Sequence, residues 1–164
     1  LEFRRVLFRS VQSLRQTNLQ HIIKMVNGGE ISAIQGHWNS AVKPNMQAVG
    51  NALFVKYFTA NPGDQAFFKK FAGVAPGDLP GNADFNAQVM AVFQHLDKVV
   101  AGLGGNAIDL MTSLKATHDP RGVGQSYFKK MFDFIPGFIG ENGGDGACVA
   151  AWKAAGAEIV AAMK

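Results

Sequence analysis

Residues 114–123, LKATHDPRGV, place a histidine at the end of an apolar helix. Leu114 lies one turn before His118 on the same helical face, because residues four apart are neighbours on a helix surface. Pro120 ends the helix, since its ring removes a backbone donor and clashes with the preceding turn. An imidazole held at a rigid helix end beside apolar side chains is suited to binding a metal. A histidine on an apolar face is also a common core residue, so the rest of the chain decides between the two interpretations.

The hydrophobic pattern on both sides of this stretch is helical almost throughout. Apolar residues recur at spacings of three and four, and an Asn27-x-x-Glu30 capping box opens the first helix. We expect Asp84 to cap a long helix and Pro136 to kink or end a later one. Glycine and proline separate the segments. The pattern predicts an all-α fold of about seven to eight helices, with no convincing strand pair and no internal repeat.

The first 24 residues differ in character from the rest of the chain. Residues 1–10, LEFRRVLFRS, mix charged and large apolar side chains with no helical or alternating period, and they resemble a translated sequencing adapter. Residues 11–24 precede the first methionine, Met25, and are either translated leader or a genuine polar extension. We therefore expect a non-native or leader-derived segment over residues 1–24 and a single domain over residues 25–164.

Charge and composition exclude several classes of partner. The chain has a formal net charge of +4, but residues 1–10 and residues 11–24 each contribute +2, so the chain from Met25 onward is neutral. A neutral domain has no electrostatic affinity for nucleic acid. No apolar run approaches the ~20 residues of a membrane span. The single cysteine, Cys148, excludes an intrachain disulfide. These features predict a cytoplasmic protein with no nucleic-acid partner and no membrane partner.

The order and spacing of eight residues resemble the globin family. The most specific pieces are PGDQAFFKKF at residues 62–71, with phenylalanine at the sixth and ninth positions after the proline, and the His118 stretch. The resemblance covers residues 27–164 and is closest in character to arthropod and other invertebrate globins. It implies a globin fold around a haem pocket. Because the chain lacks a CxxCH motif, the group implied is haem b. The eight residues are Trp38, Pro62, Phe68, Phe71, Gln88, His118, Val123 and Trp152.

The resemblance implies a role for two polar residues on opposite sides of the haem. His118 is the proximal iron ligand through Nε2, and Nδ1 then needs an acceptor, either the Leu114 carbonyl or the Thr117 hydroxyl. Gln88 stands where many globins have a distal histidine, and its amide can donate a hydrogen bond to bound O₂. An amide nitrogen is not a competitive iron ligand, so we expect a five-coordinate iron. His95 is a rival that we expect to lie near the far end of the helix, partly exposed.

The remaining pocket residues are implied as walls and as cations for the haem propionates. Phe68 lies against the haem face, Phe71 closes the corner, and Phe54 and Val92 border the ligand position. The proximal cage is formed by Leu114, Val123, Phe128 and Met131. Arg121 and Lys70 occupy the propionate positions, and Ala91 replaces a usual helical cation.

A close helix crossing is implied at Gly50. A residue with no side chain suits a position where two backbones approach one another. Its partner Val89 is larger than usual, which predicts a looser crossing.

The function implied is reversible binding of O₂ and other diatomic ligands, for oxygen storage or transport. The alternative is a haem enzyme such as a nitric-oxide dioxygenase or a weak peroxidase. Gln88 cannot move the peroxide proton as a distal histidine does, and the sequence contains no reductase domain. A haemless all-α interaction module is the third hypothesis. A homodimer is compatible with the sequence.

Overall fold

The computed structural model describes residues 27–163 as six α-helices joined by short 3₁₀ and π segments, with no strand in that range. The all-α prediction is confirmed. The predictions for residues 1–24 lie outside the described residues. No helix in residues 27–163 is long and apolar enough to cross a bilayer. The helices are α1 (Gly28–His37), α2 (Met46–Ala60), α3 (Ala83–Ala101), α4 (Ala107–His118), α5 (Gln125–Glu141) and α6 (Gly146–Ala162).

The predicted capping box at the start of α1 is confirmed. The Asn27 side chain accepts hydrogen bonds from the amides of Gly29 and Glu30, at 3.0 and 3.1 Å. The Glu30 carboxylate accepts in return from the Asn27 amide at 2.8 Å. The amides of Gly29 and Glu30, which have no acceptor within the helix, therefore gain one from a neighbouring residue of the chain.

The predicted cap of α3 was wrong by two residues. Asn82 is the N-cap, and its side chain accepts from the Phe85 amide at 3.0 Å. A capping residue needs extended backbone, and Asn82 has it, with φ −91° and ψ 121°. Asp84 lies inside the first helical turn, where its negative charge complements the helix dipole.

We expected Pro136 either to kink a helix or to end it. The expectation that it ends the helix was wrong. Helix α5 continues through Pro136 to Glu141. Pro136 is buried, so packing of its ring against the core offsets the backbone hydrogen bond that a proline removes.

Helices α2 and α3 pack closely against one another at Gly50. A Cβ at Gly50 would lie 2.5 Å from Val89 Cγ1 and 2.9 Å from Phe93 Cδ2. Val89 and Phe93 are both buried. The larger valine therefore fills the space over the glycine. That the crossing is looser than usual stays a prediction.

Trp38 joins three helices at the back of the fold. Its indole stacks on Phe93 of α3 at a centroid distance of 5.9 Å and lies 6.1 Å from Trp152 of α6. Its Nε1 donates to Asp97 at 2.8 Å, and Lys43 pairs with the same carboxylate at 3.0 Å. Burial raises the pKa of Asp97, but the two donors outweigh it and the net pKa is lowered. This packing holds α3 in place for the pocket on its opposite face.

Candidate haem pocket

A cavity of about 380 Å³ lies between α2, α3, α4 and α5. Most of its lining is aromatic or aliphatic. The structure brings together ten of the twelve predicted pocket residues on its walls. They are Phe54, Phe68, Gln88, Val92, Leu114, His118, Arg121, Val123, Phe128 and Met131.

His118 is the last residue of α4 and lies on the wall of the cavity. Its Nδ1 lies 2.9 Å from the Leu114 carbonyl, which also accepts from the Thr117 hydroxyl at 2.7 Å. A carbonyl oxygen only accepts, so Nδ1 carries the proton and Nε2 keeps its lone pair. The Phe128 ring meets the imidazole edge-on at a centroid distance of 5.4 Å. The ring is therefore fixed in both tautomer and orientation.

A sharp corner follows His118 and accounts for its place at the helix end. Residues Asp119–Arg121 form a single 3₁₀ turn with Pro120 as its middle residue. Gly122 then adopts φ 78°, a left-handed conformation that favours glycine. The chain reverses there and carries Val123 back to the cavity wall.

One face of α3 forms the wall across from α4. Its cavity-lining residues follow a spacing of three and four and are Gln88, Ala91, Val92, His95 and Leu96. The Gln88 amide makes no hydrogen bond to any residue in the range 27–163. Its donor and acceptor are therefore free for a group within the cavity.

His95 lies closer to the pocket than we expected. It is partly exposed, as predicted, but its ring also lines the cavity. Its Nε2 is buried and has no hydrogen-bond partner within the described part of the chain. The spacing of seven from Gln88, two turns along the same helical face, was the signal that could have placed it there.

We expect His95 to make the protein sensitive to mild acid. Burial, followed by the charge of Lys98, lowers the pKa of His95 below 6.5; the Leu110 carbonyl opposes the shift and His118 adds to it. Below pH 6.5 the unfolded chain then binds more protons than the folded one, so stability falls as pH falls. Urea unfolding at about pH 7.5 and about pH 5.5 tests this. His95→Leu is expected to lose less stability between the two pH values than the unchanged protein, and equal losses would contradict the assignment.

Two predicted residues do not line the cavity. Phe71 is buried behind the wall, where it stacks on Phe68 at 5.2 Å and meets Phe85 edge-on at 5.5 Å. The Lys70 ammonium pairs with Asp84 at 2.6 Å. Phe71 is thus a support for Phe68, and Lys70 is engaged elsewhere. Arg121 does line the cavity, is exposed, and forms no ion pair within residues 27–163.

The sequence analysis missed a polar cluster on the wall of the cavity. The Tyr57 hydroxyl donates to Asp64 Oδ2 at 2.6 Å, and Lys130 Nζ lies 3.0 and 2.9 Å from the two oxygens of that carboxylate. Burial, followed by the hydrogen bond to Asp64, raises the pKa of Tyr57 above its ordinary range. The three residues come from α2, from the 3₁₀ segment Pro62–Phe67 and from α5. No local sequence period connects them, so no sequence signal pointed to the cluster.

Comparisons with known proteins agree with this architecture. The globin family profile matches residues 51–163. A globin of Nerita albicilla is 28% identical over 120 residues, covering 72% of this chain and 76% of that protein. A double-mutant myoglobin of Aplysia limacina has a TM-score of 0.75 at 23% identity, covering 84% of this chain and 96% of that chain. A hexa-coordinate haemoglobin of Drosophila melanogaster has a TM-score of 0.74 at 20% identity, covering 84% and 92%.

The fold and the cavity define an all-α protein with an apolar pocket between its helices and a histidine, His118, on the pocket wall. The family profile covers more than half of the chain. The chain belongs to the globin family. The globin resemblance seen in the sequence is confirmed by the family profile and agrees with the Nerita albicilla relative.

Proposed function

We propose that this globin binds haem b non-covalently and uses it to bind O₂ reversibly. His118 is the proximal ligand, and Gln88 is the hydrogen-bond donor on the distal side. One observation carries the proposal: the Leu114 carbonyl holds Nδ1 of His118, so the lone pair of Nε2 is free to bind a metal. His118 lies on the wall of an apolar cavity. When bound, the haem iron supplies the coordination position at which a diatomic ligand binds.

The residues around the cavity fit a haem group. The hydrogen bond from Nδ1 to the Leu114 carbonyl raises the basicity of the ligating nitrogen. Phe68, Phe128 and the aliphatic walls supply apolar surface for the porphyrin and exclude water. Arg121, exposed at the cavity and outside any ion pair of residues 27–163, is placed to pair with a propionate.

We infer an open sixth coordination position on the distal side. The Drosophila melanogaster relative is described as hexa-coordinate, but an amide nitrogen such as that of Gln88 does not compete for iron. Among the described residues, the other imidazole lining the cavity is His95. The optical spectrum of the unliganded ferrous protein tests the proposal, with a five-coordinate spectrum expected. A six-coordinate spectrum would contradict it, and loss of that spectrum in His95→Leu would identify His95 as the sixth ligand.

Replacing Gln88 with leucine is expected to speed O₂ release. A neutral hydrogen bond contributes about 1 kcal/mol net, so the O₂ dissociation rate should rise about fivefold. Stopped-flow displacement of O₂ measures the rate. Gln94, an exposed glutamine on the same helix, provides the matched control, and Gln94→Leu should leave the rate unchanged. An unchanged rate in Gln88→Leu would mean that the amide does not reach the ligand.

Oxygen binding is favoured over a haem enzyme by the chemistry of the distal wall. Peroxide cleavage benefits from a distal base that moves a proton, and the Gln88 amide cannot serve as one. A nitric-oxide dioxygenase or a peroxidase is the alternative function, and the distal glutamine favours it less than oxygen binding. The cytoplasmic location and the homodimer stay predictions from the sequence.

A further inference from the structure

A network of side-chain amides joins the start of helix α3 to two other elements. The Asn51 side chain on α2 donates to Asn86 Oδ1 on α3 at 2.8 Å. Gln47, also on α2, donates to Asn51 Oδ1 at 2.8 Å and to the backbone carbonyl of Asn86 at 3.2 Å. The Asn86 side chain donates in turn to the Pro80 carbonyl at 3.0 Å, within the 3₁₀ segment Pro76–Gly81. Asn86 is thus the residue at which three elements meet.

Backbone carbonyls at both ends of the network fix the orientation of each amide. A carbonyl oxygen only accepts, so Asn86 Nδ2 faces Pro80 and Asn86 Oδ1 faces Asn51. Asn51 then donates to Asn86 and accepts from Gln47, whose remaining donor is directed to the Asn86 carbonyl. The three side chains are half-buried, which limits competition from water. The network therefore has one arrangement, and it holds the first turns of α3 against α2.

Gln88 lies between this network and the close packing of α3 on α2. Asn86 precedes it by two residues, and Val89, which packs over Gly50, follows it. Gln88 lines the cavity, and its amide makes no hydrogen bond to any residue in the range 27–163. The position of the amide therefore depends on the backbone of α3. Because a hydrogen bond weakens steeply beyond about 3.2 Å, a backbone shift of about 1 Å is enough to weaken a bond that Gln88 donates.

We propose that Asn86 is a positioning residue that fixes α3 so that the Gln88 amide meets bound O₂. This inference rests on the proposed function, in which Gln88 is the distal donor. Bound O₂ carries partial negative charge and accepts a hydrogen bond well, whereas bound CO carries little charge. Asn86 does not touch the ligand and acts only through Gln88. Loss of the Asn86 side chain should therefore speed the release of O₂ and not the release of CO.

The first test is a double-mutant cycle between Asn86 and Gln88, measured with both ligands by stopped-flow displacement. In the haem-loaded protein, Asn86→Ala is expected to raise the O₂ dissociation rate about two- to fivefold, the upper value being the loss of the whole Gln88 hydrogen bond. The CO dissociation rate should stay unchanged. In a Gln88→Leu background, Asn86→Ala should leave the O₂ rate unchanged, because the donor that it positions is already absent.

Hydrogen exchange of the backbone amides, measured by mass spectrometry without added ligand, is a second readout that does not depend on ligand release. Asn86→Ala is expected to speed exchange in residues 83–92, because the first turns of α3 lose their attachment to α2, and to leave exchange in α6 unchanged. Gln125→Ala is the matched control. It also removes a bond from a side-chain amide to a backbone carbonyl, the 2.6 Å bond from Gln125 to Val160 between α5 and α6. It should change neither ligand rate nor the exchange in residues 83–92.

Several results would overturn the inference alone. They are an unchanged O₂ rate in Asn86→Ala while Gln88→Leu is faster, a faster O₂ rate that persists in the Gln88→Leu background, an equal rise in the CO rate, and faster exchange along the whole chain. An unchanged O₂ rate in Gln88→Leu, or a protein with no haem band, would overturn the proposed function as well. If Asn86→Ala does not fold, Asn51→Ala removes the bond to Asn86 Oδ1 from the α2 side and is judged by the same outcomes.

Discussion

Replacing His118 with glycine is expected to abolish stable haem binding. His118 lines the cavity, and the Leu114 carbonyl holds its Nδ1, which leaves Nε2 as the ring nitrogen free to bind iron. Loss of a hydrogen-bond partner of a metal ligand costs about 10- to 100-fold in metal affinity, and loss of the ligand itself should cost more. The measurement is the rate of haem transfer from the variant to an excess of an apoglobin acceptor, followed by the haem absorption band.

Free imidazole and a second histidine provide the controls. Imidazole added to His118→Gly should restore the haem band, because the glycine leaves space for the missing ring. His95→Gly removes the other imidazole on the cavity wall and should retain haem. A His118→Gly protein that holds haem as tightly as the unchanged protein would rule out His118 as the proximal ligand.

Replacing Gly50 with alanine is expected to cause a large loss of stability. The added Cβ would lie 2.5 Å from Val89 Cγ1 and 2.9 Å from Phe93 Cδ2, so one of the two helices must shift. Overpacking of this kind costs about 1–3 kcal/mol, which corresponds to a fall in Tm of about 3–10 °C. Thermal unfolding followed by circular dichroism measures the change.

A second glycine and a compensating substitution separate crowding from other effects. A Cβ at Gly36, an exposed position on α1, meets no atom within 4 Å, so Gly36→Ala should stabilise by about 0.5–1 kcal/mol. Adding Val89→Ala to Gly50→Ala removes the closer contact and should recover part of the loss, since the Phe93 contact remains. If the double variant is no more stable than the two single losses combined predict, the crossing of α2 and α3 is not the cause.

Local sequence predicted most of the helices and most of the pocket. The capping box at Asn27 depends on residues three apart, and the end of α4 depends on the proline two residues after His118, so both can be read along the chain. The globin resemblance carried by residues 62–71 and 114–123 implied that Phe68 and His118 are pocket residues, and both line the cavity. The cap of α3 was missed because Asn82 and Asp84 are equally good capping residue types, and only the backbone angles distinguish them.

The sequence by itself determined the fold class and the helix that ends at His118. Hydrophobic spacing and helix capping depend on residues that are close together in the sequence, so they can be predicted without coordinates. Only the tertiary structure decided that Phe71 lies behind the wall, that His95 lines the cavity, and that Asp64 meets both Tyr57 and Lys130. The reason is physical: these contacts depend on how separate helices cross, and the crossing is set by the packing of the whole core.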